Sequence, residues 1–425
     1  MKGVYQPVMR IHLLALLLLM TLMGVFPIDV ILPSFPSLAD RFDVDVSHIA
    51  YSASGFALVV ALSQLLIGPL SDRIGRKRLL MAGLTLATLG AVGCMLANRY
   101  TAFMFFRFVQ GLGCGSFVLS QALVQDLYDG RQLNAVRIML TTASGVFICL
   151  SPVAGVMLET SFGWQSSFFV FIMLNLVAFV LIIFIPLEHK VAGSRDPILH
   201  VYRKMLLDRA YMSLSLLSAV AFACHFSFVI AAPILLMGTL ELSAHEFSLV
   251  FMCYGLSYVL GGVIAGWFNR MVNPLFQVGL GLLLVGFASC LLLLWQMTEG
   301  VTLAGLMVPM IVCTAGTTLV RPAATTQALS RHPRHAGAAS ALNTTLMFAV
   351  GGLASTLMAA MKTVTPMNLG FMFLAFCMLG WLLLQVLKHC QPTAVDHRTQ
   401  RCASGRCQSR GNHNSLTTPP KTPKP

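Results

Sequence analysis

The stretch "GPLSDRIGRKRLLMAG", from Gly68 to Gly83, gathers five charged side chains between two long apolar segments. The charged side chains are Asp72, Arg73, Arg76, Lys77 and Arg78. Charge is scarce elsewhere, since 10% of the 425 residues are charged and 57% are hydrophobic. A mean hydropathy of +0.79 leaves more apolar surface than the core of a soluble protein can bury. A lipid bilayer accepts such a surface, and the charged stretch then lies in water between two membrane spans.

Twelve apolar runs are long enough to cross the hydrocarbon layer, which takes about 20 residues of helix. They cover residues 11–33, 49–70, 79–97, 101–125, 134–157, 167–187, 210–237, 247–268, 275–296, 301–320, 337–361 and 368–388. These runs are about twice as long as the strands of a membrane barrel and do not alternate between polar and apolar residues. The first run lacks a cleavage site for a signal peptide and is interpreted as an uncleaved span. The sequence therefore predicts an all-α membrane protein.

The distribution of Lys and Arg predicts the orientation, because cytoplasmic loops carry an excess of both residues. With the N-terminus inside, the outer loops hold only Arg41, Arg99 and Lys362, and Arg107 lies within a span, which leaves 24 of the 28 Lys and Arg residues inside. We therefore expect a multi-pass protein of the bacterial inner (plasma) membrane with both termini in the cytoplasm. The net charge of +13 follows from this topology and from the basic C-terminal tail, so it does not indicate a nucleic-acid partner.

The longest internal connection divides the chain into six spans and six spans. The predicted parts are an N-terminal six-helix bundle (1–187), a cytoplasmic central loop (188–209), a C-terminal six-helix bundle (210–388) and a disordered cytoplasmic tail (389–425). Weak internal similarity supports two pseudo-symmetric halves, since Pro33 aligns with Pro233 and Gly68 with Gly266. Repeated halves are typical of transporters that bind substrate near the membrane midplane between them.

Three ionisable side chains, Asp29, Arg107 and His225, lie inside predicted spans and away from the loops. Such groups are costly in a membrane and are functional candidates by default. Helix rise places Asp29 about 27 Å along the first span and Arg107 about 9 Å into the fourth, so both are expected in the outer half of the membrane. Desolvation disfavours the charged form of a carboxyl, which prepares Asp29 to exchange a proton. Arg107 needs an acceptor, and we expect it to engage Asp29, backbone carbonyls or substrate in alternation.

Each of these side chains also has a purely structural interpretation. Asp29 would cap a helix end that Pro33 creates, and Arg107 would tie the fourth span to neighbouring carbonyls. His225 is either a proton relay or a hydrogen-bonded packing residue. Val229 occupies the position in the second half that pairs with Asp29, so proton chemistry is expected in the first half.

Several motifs, each in its expected span or loop, resemble those of the major facilitator superfamily. The motif "GPLSDRIGRKR" stands between spans two and three, as the loop signature of that superfamily does. The fourth span carries "RFVQGLGCG", similar to an Arg-x-x-Gln-Gly pattern, and the fifth carries "SGVFICLSPVAG", similar to the Gly…Pro-x-x-Gly motif of antiporters. The first span's "IDVILPSFPSLADRF" resembles the bicyclomycin- and chloramphenicol-resistance drug/proton antiporters. The resemblance covers residues 10–388.

The resemblance implies roles for several groups of residues. Asp29 matches the position of the proton site, and Gly145, Pro152 and Gly155 match a bent helix that limits proton leak. Arg107 is assigned to proton coupling together with Asp29 by the hypothesis given above. The cytoplasmic latch would consist of Gly68, Asp72, Arg73, Gly75 and Arg76, with Asp72 contacting span eleven near Gly337. Candidates for the substrate path combine aromatic rings with hydrogen-bonding groups, and they are Gln110, His225, Tyr254, Tyr258, Asn343 and Phe348.

We expect a proton-coupled secondary transporter that exports small amphipathic molecules, such as drugs or siderophore-like metabolites, by alternating access. Its expected partners are a small-molecule substrate and the lipid bilayer; it is expected to be monomeric and to need no cofactor or metal beyond the proton as coupling ion. One alternative is a proton-coupled importer of a specific nutrient or metabolite. An alternative of another class is a membrane receptor or enzyme, which the sequence disfavours because it has no nucleophile–base set and no nucleotide-binding glycine loop.

Overall fold

The computed structural model describes residues 7–128, 130–185, 198–268, 271–332, 335–361 and 364–390. Every regular element in these ranges is helical. The α-helices are α1 (Pro7–Asp29), α2 (Phe35–Phe42), α3 (Val46–Ile74), α4 (Arg76–Leu96), α5 (Tyr100–Cys114), α6 (Leu119–Leu127), α7 (Gly130–Phe162), α8 (Gln165–Phe184), α9 (Ile198–Leu207), α10 (Arg209–Ala232), α11 (Ala244–Phe268), α12 (Pro274–Thr298), α13 (Leu303–Arg331), α14 (Ala336–Ala359) and α15 (Pro366–Cys390). Two 3₁₀ turns, Leu32–Ser34 and Gly115–Val118, and a π-helix, Pro233–Thr239, extend these helices.

The described part of the chain contains twelve helical segments that are long and apolar enough to cross a membrane. This finding confirms the predicted all-α membrane fold. The helices α2 and α6 continue a preceding span, and α9 is too short to form a span of its own.

One predicted span is longer in the structure, and the central connection contains a helix. The tenth span, predicted over residues 301–320, continues as α13 to Arg331, because Ala323, Ala324 and Ala328 keep its packed face apolar and small. The central connection, predicted as a loop over residues 188–209, contains the helix α9.

The helix α9 is held against the bundle, where the Tyr202 hydroxyl donates a hydrogen bond of 3.4 Å to the Leu65 carbonyl of α3. Residues 186–197 and the predicted tail after Cys390 lie outside the described residues.

The first span is interrupted at Asp29, and its prolines explain why. Pro33 has no N–H to donate to the Asp29 carbonyl, and its ring would collide with that carbonyl in a continuous helix. The chain therefore leaves α1 at Asp29, passes through the 3₁₀ turn and resumes as α2. The seventh span changes its winding at Pro233, where α10 gives way to the π-helix. The two aligned prolines thus both mark a change in helical structure.

Matching glycine contacts hold each half together. A Cβ atom added to Gly113 of α5 would lie 2.6 Å from the carbonyl oxygen of Gly83 in α4. In the second half, a Cβ atom added to Gly281 of α12 would lie 2.6 Å from the carbonyl oxygen of Gly316 in α13. Backbones can approach this closely only where side chains are absent, as small residues allow between membrane helices. The repeated contact is consistent with two pseudo-symmetric six-helix bundles.

The two halves meet along α3 with α14 and along α7 with α11. Near the start of α3, the Ser355 hydroxyl of α14 donates a hydrogen bond of 2.8 Å to the Ser54 hydroxyl. Near the other end of α3, a Cβ atom on Gly68 would lie 3.3 Å from the Cβ of Ala341. The helices α3 and α14 are therefore in contact toward both ends.

Candidate functional site

Asp29 is the last residue of α1, at the interruption of the first span, and its side chain is buried. It forms no ion pair with any residue that the structure describes. Ser151, which α7 presents one residue before Pro152, lies near the Asp29 carboxyl. Sequence reasoning missed Ser151.

Ser151 also donates a hydrogen bond to the backbone of α7. Pro152 lacks the N–H that would normally donate to the Ile148 carbonyl, and the Ser151 hydroxyl donates to that carbonyl at 3.1 Å instead. A serine carries one hydroxyl hydrogen, so Ser151 can donate either to the Ile148 carbonyl or to the Asp29 carboxylate, but not to both. The antiporter-like motif and the buried carboxyl therefore share one hydrogen-bond donor.

Arg107 of α5 is completely buried beside the same interruption. Its Nη2 donates to the Pro27 carbonyl at 3.1 Å, and its Nη1 donates to the Gln110 side-chain oxygen at 2.8 Å. The Pro27 carbonyl needs this donor because α1 ends at Asp29, which leaves the carbonyls of the last turn without helical partners. The guanidinium also lies over the Phe56 ring at 4.4 Å, and its Nε has no partner among the described residues.

The structure thus places Asp29, Arg107 and Gln110 around one helix end, but it does not pair the two charged groups directly. We expected Arg107 to bind Asp29, a backbone carbonyl or substrate, and here it binds a backbone carbonyl. It also binds the side-chain amide oxygen of Gln110.

The three residues of the antiporter-like motif lie along α7 and face different neighbours. Gly155 packs directly against the Val30 carbonyl at the interruption of the first span, so a side chain has no room there. Gly145 faces the other half, and an added Cβ atom would lie 3.1 Å from Val259 of α11. With Pro152 between them, this helix joins the site around Asp29 to the interface between the halves.

A second polar cluster lies in the C-terminal half, among α10, α11 and α13. The His225 Nδ1 and the Tyr254 hydroxyl are 2.7 Å apart, and the rings of these two residues stack with their centroids 5.7 Å apart. The ring centroids of Tyr258 and His225 are 4.9 Å apart, and those of Phe348 and Phe222 are 5.2 Å apart. The structure therefore brings together four of the residues predicted for the substrate path, which are His225, Tyr254, Tyr258 and Phe348.

Arg321 belongs to this cluster, and sequence reasoning missed it because the tenth span was ended at residue 320. Its Nη1 donates to the Tyr258 hydroxyl at 2.6 Å, and its guanidinium lies over the Phe222 ring at 5.3 Å. The signal in the sequence is the run of small residues after Pro322, which continues the helical face past the arginine. Within the described spans, Arg321 therefore joins Asp29, Arg107 and His225 as a further ionisable side chain away from the loops.

Gln110 and Asn343, the remaining candidates for the substrate path, have other contacts among the described residues. Gln110 serves Arg107 in the first half. Asn343 is buried in α14, where its Nδ2 contacts the Met347 sulfur at 3.5 Å and its Oδ1 has no partner among the described residues.

The predicted latch is described in part. Gly68 contacts the span that the prediction named, through Ala341 of α14. Gly75 has a φ of 101°, which a glycine adopts readily, and it separates α3 from α4 so that Arg76 begins a new helix. The side chains of Asp72 and Arg73 lie outside the described residues.

On the same side of the second half, an acidic residue joins two helices. Asp208 accepts from the backbone N–H groups at the start of α10 and from the Arg331 Nε at 3.0 Å, and the His332 Nε2 lies 3.2 Å away. Partial burial acts to raise the pKa of Asp208, but the hydrogen bonds from Arg331 and from the backbone of Tyr211 and Ala210 outweigh it and hold that pKa below its usual range.

Twelve membrane-spanning helices in two similar halves, with buried polar groups in both, define the class of a membrane transporter. The sequence comparison identifies the family. Residues 17–356 match the Major Facilitator Superfamily. The chain belongs to this superfamily.

Relatives and a solved structure agree with this family. The chain is 27% identical over 381 residues to the MFS-type transporter YdgK of Bacillus subtilis, covering 88% of this chain and 94% of that one. It is 27% identical over 365 residues to a bicyclomycin resistance protein homolog of Haemophilus influenzae, covering 82% and 89%. It is also 28% identical over 227 residues to the multidrug resistance protein MdtL of Escherichia coli, covering 52% and 58%.

The crystal structure of a D-xylose-proton symporter superposes with a TM-score of 0.71 at 17% identity, covering 91% of this chain and 98% of that one. This likeness shows the fold. Membership of the family, with twelve candidate spans in the described residues and bacterial relatives, makes the protein a multi-pass transporter of the bacterial inner membrane and not an enzyme. Such a transporter contacts lipid and binds small-molecule substrates.

Proposed function

We propose that the protein exports small amphipathic molecules, such as drugs or siderophore-like metabolites, in exchange for protons. Two relatives are named for resistance to bicyclomycin and to multiple drugs, and one of them matches over most of the chain. The proposed coupling ion is the proton, with no other cofactor. The protein is proposed to act as a monomer with both termini in the cytoplasm.

The observation that carries the proposal is the position of Asp29. The carboxyl is buried at the end of an interrupted helix, and none of the described residues pairs it with a cation. A carboxyl in that setting is stable when protonated and becomes costly when ionised. Proton release must therefore be compensated by a rearrangement nearby, which is what a coupled transporter requires.

Ser151 and Arg107 are the groups that supply the compensation. When Asp29 is protonated, Ser151 donates to the Ile148 carbonyl, as it does here. When Asp29 is ionised, we propose that Ser151 turns toward the carboxylate and that the unpartnered Nε of Arg107 does the same. Each change alters the contacts of α5 and α7 with the interrupted first span.

Alternating access to the two sides of the membrane would depend on the contacts between the halves. The Ser54–Ser355 contact lies toward the side proposed to be outside, and the Gly68–Ala341 contact toward the cytoplasmic side. Opening to one side requires that the contact on that side separates while the other holds. In this scheme Asp72 and Arg73 would strengthen the cytoplasmic contact, and Gly155 lets α7 follow the first span as it moves.

The second candidate function is import of a nutrient with protons, because the structurally similar D-xylose-proton symporter shares the fold. The fold therefore does not decide the direction. Export is favoured by the antiporter-like motif on α7 and by the names of the relatives.

Inside-out membrane vesicles loaded with a pH-sensitive dye test the direction. Their lumen is acidified by respiration, and chloramphenicol is then added outside, on the cytoplasmic face. An exporter exchanges the drug for lumenal protons, so the lumenal pH rises; a symporter does not release protons in this arrangement. Vesicles with Asp29→Asn protein at the same abundance are the control, and an equal response from both would refute the proposal. A panel of further drugs and siderophores identifies the cargo.

A further inference from the structure

Arg321 is a cation within a membrane-spanning helix, and none of the described residues gives it an acidic partner. It lies ten residues before Arg331, the last residue of α13, so it is about 15 Å from that end of the helix. Its described partners are the Tyr258 hydroxyl and the Phe222 ring, which are both neutral. Arginine stays charged in a protein, so this site keeps a full positive charge in a medium that disfavours it.

The sequence of the second half offers no carboxylate that could reach this arginine. Between residues 209 and 390 the acidic residues are Glu241, Glu246 and Glu299. All three belong to connections or first turns at the opposite end of the helices. Glu299, the nearest along the chain, precedes Arg321 by 22 residues, and most of that separation is α13 itself. No carboxylate of the second half therefore balances the charge of Arg321.

The surroundings of Arg321 favour an anion that carries a flat apolar group. The Phe222 ring lies under the guanidinium, and the His225 and Tyr258 rings lie 4.9 Å from each other beside it. Phe348 extends the aromatic surface from α14. Arg321 and Tyr258 are only partly buried, so both retain surface for a further contact.

The cluster also lies next to the interface between the halves, where the transporters of this fold class place their cargo. Val259 follows Tyr258 and faces Gly145 of α7. Phe222 packs against Gly351, and the next residue, Gly352, faces Leu58 of α3 in the other half. A molecule bound at Arg321 would therefore be close to the surfaces that separate when the transporter opens.

We propose that Arg321 and Tyr258, with the rings of Phe222, His225 and Phe348, form a binding subsite for amphipathic organic anions, in which the guanidinium binds the carboxylate or other acidic group. The subsite lies in the half that lacks Asp29, so the cargo charge and the coupling proton are bound in different halves. This inference rests on the proposed transport function and specifies its substrate class.

Three probes with the same ring and different charge test the subsite: naphthoate, its neutral methyl ester and naphthylmethyl-trimethylammonium. Their binding to the purified full-length protein in detergent is measured by displacement of radiolabelled naphthoate and by direct titration. The wild-type protein is expected to bind naphthoate about tenfold or more tightly than the ester, because a guanidinium binds a carboxylate more strongly than a neutral ester. The cationic probe should bind weakest.

Variants assign the preference to Arg321. Arg321→Gln should remove the difference between naphthoate and its ester, and Arg321→Lys, which keeps the charge, should retain part of it. Arg331→Gln changes the same residue type in the same helix and should leave the preference intact. Melting temperatures in detergent show which variants are folded, and if Arg321→Gln is not folded, the comparison of Arg321→Lys with wild type decides the question. A wild-type protein that binds the ester or the cation as well as naphthoate would overturn the subsite, as would a preference that survives in Arg321→Gln.

The transport proposal is tested separately with neutral chloramphenicol in the vesicle assay. If chloramphenicol causes proton release but the protein shows no preference for the anion in binding, the export proposal is supported and the anion subsite is contradicted. If the anion preference depends on Arg321 but no probe is exchanged for protons, the anion subsite is supported and the export proposal is contradicted.

Discussion

The two halves share a fold but hold different chemistry at corresponding places. In the first half, a span interrupted near Pro33 places a buried carboxyl beside an arginine that is held by a backbone carbonyl and an amide. In the second half, the span that changes winding at Pro233 contributes His225 to an aromatic cluster around Arg321. In our proposal, one half changes its charge by taking up a proton, whereas the other offers a fixed positive charge. A duplicated bundle would in this way separate ion coupling from recognition.

Among the variants that test this comparison, Arg107→Ala is expected to have the largest effect on stability and transport. The substitution leaves the Pro27 carbonyl and the Gln110 oxygen without their donor and opens a cavity against Phe56. We expect a loss of about 3 kcal/mol or more in stability and complete loss of proton-coupled transport. The measurement is the melting temperature in detergent together with the vesicle assay.

Arg321→Gln is the matched change in the second half, and it should keep the melting temperature close to that of the wild type because its described partners are a hydroxyl and a ring. An Arg107→Ala protein as stable as Arg321→Gln would show that the two arginines are equivalent, contrary to the comparison.

The next effect is expected from Gly155→Ala, which adds a methyl group against the Val30 carbonyl. Overpacking at a backbone contact costs about 1–3 kcal/mol, and here it also displaces the helix that carries Ser151. Transport rates measured at equal protein abundance should fall several-fold, with the melting temperature reduced. Gly262→Ala in α11 is the control, since an added Cβ atom there meets nothing within 4 Å. If the two variants have equal transport rates and melting temperatures, the contact between α7 and the first span has no role in the mechanism.

The smallest effect is expected from Asp208→Asn, just before the start of α10. The folded protein holds the pKa of Asp208 below the ordinary value of 3.8, so the ionised carboxylate stabilises the fold above that value. This contribution is lost as the pH falls through the lowered pKa. Since the Arg331 side chain is 37% exposed, solvent limits the effect to under about 1 kcal/mol. The melting temperatures of the wild type and the variant should differ slightly at neutral pH and converge in acid, and a difference that grows in acid would contradict the assignment.

The sequence predicts the helical class, the twelve spans and the family, because long apolar runs and motif spacing are local properties. It also singles out Asp29 and Arg107, since a charge in an apolar run is visible without a structure. It could not show that Arg107 binds Pro27, a contact across 80 residues. Nor could it reveal that Ser151 lies beside Asp29.

Arg321 was missed for a different physical reason. Hydropathy falls after Val320, where an arginine, a proline and several polar residues follow one another, so an apolar window ends there. The helix continues because tertiary partners, above all Tyr258, take up the polar side chain. Packing across the bundle, rather than average hydropathy, sets the length of that span.

The central claim is that Asp29 couples transport to protons while the cargo binds elsewhere, and Asp29→Asn tests it most directly. Chloramphenicol binding and proton release are measured on the same preparations of wild-type and variant protein. We predict that the variant binds chloramphenicol within about threefold of the wild type, a difference of under about 1 kcal/mol, and releases no protons. Full transport driven by the pH gradient in Asp29→Asn protein would contradict the account.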